Sequence, residues 1–181
     1  MQRYEALRET GGLEEAIRTW VGSFEARPAG ESKSIRLSAD SVALRRVKDF
    51  GSEWLWYITC ESPTHPEQGI WAWSGWATKD EADKWIAHAI AGGGGHPLLT
   101  GCPSVNLGCQ LLEDGFRAGG WVESVGRQIT EVRLLDPTGH ELSDRIQNQV
   151  ALLRSHRPVE LPLTVQLIDA TGVIATTQQF P

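Results

Sequence analysis

Apolar positions follow a helical period near the start of the chain and then change to alternation. Leu13, Ala16, Ile17, Trp20 and Phe24 fall on one stripe of a helical repeat, which predicts an amphipathic helix. Gly11 and Gly12 set it apart from a shorter turn carrying Tyr4 and Leu7, and Arg27-Pro28-Ala29-Gly30 ends it. From Ser34 the period becomes two. Ile35 and Leu37, then Val42, Leu44 and Val47, alternate with polar residues as half-buried strands do, with a turn at Asp40-Ser41. A second turn at Asp49-Phe50-Gly51-Ser52 leads into Trp54 to Cys60, apolar on both faces and so expected at the centre of a sheet. Pro63 and Pro66 place Glu61 to Gln68 in a loop, and Gly69 to Trp76 reads as the returning strand. A hairpin centred near Thr64 and His65 sets Trp56 opposite Trp73 and Ile58 opposite Trp71.

Thr78 followed by Glu81 has the spacing of a capping box, and Ala82, Trp85, Ile86, Ala89 and Ile90 continue as an apolar helical stripe that Gly92 would cap. The next residues, Gly92 to Gly95, have the composition of a flexible hinge. Beyond them Ser104 is placed to cap a short helix through Leu107, Leu111 and Leu112. Trp121–Val125 and Ile129–Leu135 read as strands, and Ile146, Val150 and Leu153 suggest a helix over Ser143–Ser155. Leu161–Ile168 and Val173–Gln179 read as a final strand pair. The expected fold is α+β, mostly antiparallel sheet with a few packing helices, in two small subdomains: residues 1–91, a glycine hinge at 92–95, and residues 96–181.

Val132 to Gly139 and Val165 to Gly172 share the pattern V-x-L-[LI]-D-x-T-G. Either a duplicated strand-turn unit or two unrelated tight hairpins would produce it.

Composition adds what periodicity leaves open. The chain has 181 residues, eight tryptophans, three cysteines and a net charge of −6. The half up to residue 91 carries 11 basic and 14 acidic residues, the remainder 6 and 9, so no basic domain of the kind that grips a phosphate backbone is present. No apolar run reaches the length of a membrane span, and Met1 to Trp20 lacks the apolar stretch of a secretion signal. An odd number of cysteines without a dense framework fits a reducing compartment, so a cytoplasmic protein is expected.

Two groups of side chains are chemical candidates. His88, His96, Cys102 and Cys109 gather within a short stretch, but neither the histidines nor the cysteines form the close pairs that zinc sites use, so no metal or other cofactor is expected. Cys102, in a Gly-Cys-Pro loop, and Cys109, near the expected helix start, are candidate thiol nucleophiles if a histidine such as His96 serves as base. The glycine run follows a helix and precedes His96-Pro97, the reverse of a phosphate-binding loop. The second group is Trp54, Trp56, Trp71, Trp73 and Trp76, with Arg45 and Arg46 nearby. Indoles in that number exceed what a small core easily hides, and any left outside would mark a partner surface. The sequence therefore points to a non-catalytic binding or accessory subunit of a larger protein assembly, using a Trp-rich sheet surface. The alternatives are a Cys/His enzyme or metal site around residues 96–109, and single-stranded nucleic-acid binding within a ribonucleoprotein complex.

Overall fold

The computed structural model describes residues 2–30, 32–97 and 99–180, and of residues 2–11 the helical backbone alone. Two compact units divide the chain, Met1–His96 and Pro97–Pro181, each built around its own apolar cluster.

In the first unit helix α1 (Gln2–Ser23) runs through Gly11 and Gly12 without a break, a correction to the two-piece expectation. Tyr4 and Leu7 lie outside the residues whose side chains are described. Strands β1 (Glu25–Ala26) and β2 (Ile35–Arg36) form a short pair. β3 (Ala43–Asp49), β4 (Trp54–Glu61), β5 (Ile70–Lys79) and β6 (Trp85–His96) then make an antiparallel sheet in chain order. Leu13, Ile17 and Val21 are fully buried on α1 and pack with Trp56, Ile58, Cys60, Trp71 and Ala77 of the sheet. The alternation of β4 explains its central position, since Leu55, Tyr57 and Thr59 on its other face are buried as well.

Residues 78–92 are not a helix. Lys79 and Trp85 are cross-strand partners on either side of a tight turn, and β6 returns along β5. Asp80 is the cause: its Oδ1 accepts the backbone N–H groups of Ala82 (2.8 Å) and Lys84 (2.9 Å), closing a turn where a helix cap was expected. Gly92 to Gly95 belong to β6, where Gly92 and Gly93 pair with Trp73 and Ala72 of β5, so the run is part of the sheet and not a hinge. The β4–β5 register also differs from expectation by two residues. Ile58 faces Trp73, Cys60 faces Trp71, and Trp56 faces Gly75.

The second unit is all strand: β7 (Ser104–Leu112), β8 (Gly115–Glu123), β9 (Ile129–Leu135), β10 (Glu141–Arg145), β11 (Val150–Ser155), β12 (Leu163–Asp169) and β13 (Ile174–Phe180). The expected helix after Ser104 is β7. The expected helix over Ser143–Ser155 is β10 and β11 joined by a two-residue turn at Asn148 and Gln149, both with positive φ (52° and 62°). One sheet has the order β11-β8-β7 and the other β10-β9-β12-β13. Phe116, Ala118, Val122 and Leu153 of the first pack with Val132, Leu134, Val165 and Leu167 of the second. Side chains tie the two sheets at both edges. Asp144 of β10 accepts the Leu152 N–H of β11 at 2.7 Å, and Gln178 of β13 accepts the Val105 N–H of β7 at 3.3 Å.

The two V-x-L-[LI]-D-x-T-G segments occupy equivalent places in this sheet. Arg133 pairs with Gln166, its own counterpart, so the hairpins β9–β10 and β12–β13 are related by a local two-fold axis through that pair. Both turns use one construction: Asp136 and Asp169 accept the hydroxyl of the following threonine at 2.6 Å and its N–H at 2.9 Å, and Gly139 and Gly172 take φ near +85° and +82°. The protein is thus mostly antiparallel β-sheet, with one α-helix among the described residues, and richer in strand than the sequence suggested. No helix among those residues is long and apolar enough to cross a membrane.

Candidate functional site

Most of the candidate indoles are packed against the helix. Trp56 and Trp71 are buried, and Trp54 and Trp73 are half-buried on the same sheet face. Trp20 of α1 completes a chain of ring contacts, 5.4 Å from Trp73 and 5.5 Å from Trp56, with Phe24 at 4.7 Å from Trp73. Glycines make room for them. A Cβ on Gly75 would enter the ring of Trp56, one on Gly92 would enter the ring of Trp73, and one on Gly94 would lie 2.9 Å from Trp71 Cε2. Glycines on β5 and β6 therefore clear the space that these indoles occupy. The N–H groups of Trp56, Trp71 and Trp73 are buried without an acceptor among the described residues, so packing rather than hydrogen bonding holds these rings.

The remaining members of the predicted set lie on the sheet's other face. Trp76 stacks on His88 with centroids 4.2 Å apart and planes at 20°. Arg45 Nε donates to Thr59 Oγ1 at 2.8 Å, and Arg46, paired with Tyr57, is buried. The sheet thus splits the tryptophan–arginine group between its two faces and does not assemble it into one platform.

The cysteine candidates are dispersed too. Cys109 lies on β7, away from any helix start, and burial pushes its thiol up to about 12, against its use as a thiolate. Cys60 is buried and its thiol is likewise pushed up to about 12. Cys102 is exposed, and its sulfur lies 3.4 Å from Thr100 Oγ1, a group unable to serve as a base. Its loop is anchored by Glu123, which accepts the Thr100 N–H (2.7 Å), the Gly101 N–H (3.1 Å) and the hydroxyls of Thr100 and Ser104. These bonds, led by the Thr100 N–H, hold the Glu123 carboxyl below its ordinary range. His96 contacts the Tyr57 ring and is held below its usual pKa by burial and by Arg45. Among the described residues no three His, Cys, Asp or Glu side chains come together as a metal site. Ser155 Oγ approaches His140 Nε2 at 3.3 Å, but it also donates to the Arg157 carbonyl at 2.7 Å, as expected of a serine that shapes a turn.

What the fold does assemble is a groove of about 690 Å³ between α1 and the start of β6. Gly12, Ala16 and Thr19 line its helical wall with Glu15 at the rim, and Trp85 and Ala87 line its strand wall. Small residues recur on α1 next to its buried stripe and leave space where larger side chains would close the gap. Trp85 is fixed from three sides, by Trp54 at 5.1 Å, by Lys79 over its ring at 5.4 Å, and by Gly12, where a Cβ would sit 3.2 Å from its Cδ1. Ile86, between Trp85 and Ala87, alternates to the other face with His88 and is exposed to 43% there. Sequence reasoning missed this site because it put Trp85 and Ala87 on a helix. A signal was present: Trp85 to His96 holds no Asp, Glu, Lys, Arg or Pro, unlike the other edge strand, β3, with Arg45, Arg46, Lys48 and Asp49. No family model, curated protein or solved structure matches the chain.

Proposed function

We propose that the chain acts by binding, as a non-catalytic accessory subunit of a larger protein assembly, with the groove between α1 and β6 as its partner surface. One observation carries this: a concave, largely apolar groove, walled by Ala16 of α1 and by Trp85 and Ala87 of β6, beside a sheet edge that has no protective charge. The surface is moved from the Trp54–Trp76 hairpin to its neighbour, because four of the hairpin's five indoles, Trp54, Trp56, Trp71 and Trp73, pack into the core. Three cysteines outside any disulfide support the cytoplasm as the site of action.

The test replaces Thr19→Arg and Ser23→Arg, which fill the groove from exposed positions on α1 without touching a buried side chain. Both variants should keep the melting temperature of the parent and lose the proteins that copurify with it from its native cell, whereas Glu113→Lys, in the β7–β8 turn, should retain them. Unchanged recovery with both groove variants would refute the proposal.

A further inference from the structure

The turn at Asp80 fixes which backbone groups of β6 face outward. Asp80 N–H donates to the Lys84 carbonyl at 2.9 Å, so these residues form a hydrogen-bonded pair at the end of the ladder. Bonded and non-bonded pairs alternate along an antiparallel ladder. Thr78–Ile86 and Trp76–His88 are therefore bonded to each other, and Trp85, Ala87 and Ala89 aim their N–H and C=O groups away from β5. β6 ends the sheet, and no backbone bond on that side is made among the described residues. Register shifts interrupt β6 only beyond Ala89, which leaves Trp85–Ala89 as a regular edge beside the groove. Such an edge is completed by one kind of object, an extended strand, whose alternate side chains would enter the space beside Gly12 and Ala16.

The charges around the groove select among extended strands. Glu15 stands on the rim, and the turn at the mouth holds Asp80, Glu81 and Asp83 against Lys79 and Lys84, with Lys79 and Asp83 paired at 3.0 Å. The chain as a whole carries −6, which disfavours a second copy of itself and favours a cationic partner. We infer that the groove takes an extended segment of a partner protein, apolar at alternate positions and flanked by basic residues, as an added strand on Trp85–Ala89. This rests on the groove being the partner surface and adds how the partner is held.

The probe is a synthetic peptide, acetyl-Lys-Val-Thr-Val-Thr-Val-Lys-amide, titrated into the full chain and followed by amide chemical shifts and hydrogen exchange. Saturable binding should slow exchange at Ala87 and Ala89, and replacing both lysines of the peptide by glutamates should weaken it about tenfold. N-methylation of the peptide's central valine, which leaves the protein untouched, should weaken binding at least about tenfold. So should Ala87→Pro, which removes an outward N–H that the sheet does not use. If the N-methylated peptide and Ala87→Pro bind normally while Thr19→Arg does not, the groove stands and strand addition falls. If Thr19→Arg also binds normally, or no saturable binding occurs, both fall. A chain that sediments as a dimer with Ala87 and Ala89 already protected would assign the edge to self-pairing and overturn the inference.

Discussion

At the scale of single residues, burial decides chemistry. Cys60, Cys102 and Cys109 look alike as sequence, yet burial pushes the thiols of Cys60 and Cys109 up to about 12 and leaves only Cys102 exposed. A disulfide-exchange reagent at neutral pH should therefore titrate one thiol quickly in the native protein and all three after denaturation. Fast labelling of a Cys102→Ser variant would contradict this assignment. Glu123 shows the same principle with the opposite sign. Its folded-state pKa lies below the ordinary 4.5, so its contribution is complete above that pH and is lost as pH falls through the lower folded value. Glu123→Gln should lower the melting temperature at pH 7, and the gap to the parent should narrow on acidification below the ordinary value of 4.5. Neither partner set was legible in the sequence, because Glu123 meets Thr100 and Ser104 only through the pairing of β7 with β8.

At the scale of elements, turn chemistry overrides helical periodicity. Ala82, Trp85, Ile86, Ala89 and Ile90 fit a helical stripe, but small alanines fit either face of a strand equally well, so the pattern had little power to discriminate. The informative residue was Asp80. It builds the same turn as Asp136 and Asp169, with N–H bonds to the second and fourth residues beyond it. At the latter two a glycine marks the positive φ, whereas here Asp83 adopts φ 59°, and the likeness was hidden. The strands at Ile129–Leu135, Leu163–Asp169 and Ile174–Phe180 were legible because glycine turns punctuate them. The β10–β11 turn was not, since Asn148-Gln149 is an unusual pair for two left-handed positions. Between elements, Asp144 supplies the acceptor that Leu152 on β11 would otherwise lack. Asp144→Ala should cost about 1–3 kcal/mol in chemical denaturation, and an unchanged midpoint would mean that this link contributes nothing to the sandwich.

At the scale of the molecule, each unit holds its own core. Leu134, buried between the two sheets of the second unit, and Ile17, buried between α1 and the first sheet, have no core neighbours in common. Leu134→Ala and Ile17→Ala should each cost about 2–5 kcal/mol. Hydrogen exchange should place the loss of protection in β7–β13 for the first and in α1 and β3–β6 for the second. Loss spread evenly over both units would contradict separate cores. This organisation also accounts for six of the eight tryptophans: the helix and one four-stranded sheet enclose an aromatic core of Trp20, Trp54, Trp56, Trp71, Trp73 and Trp85, and glycines on β5 and β6 clear the space that it needs. The proposed partner surface is what that core leaves outside, the edge of β6. The most direct measurement compares Gly92→Ala with Gly93→Ala in chemical denaturation. A seat for Trp73 predicts that Gly92→Ala loses about 1–3 kcal/mol from overpacking. Gly93, where a Cβ meets nothing within 4 Å, should tolerate alanine to within about 0.5 kcal/mol. Equal, near-zero effects at both positions would mean that the glycine run is a linker after all and would contradict the account.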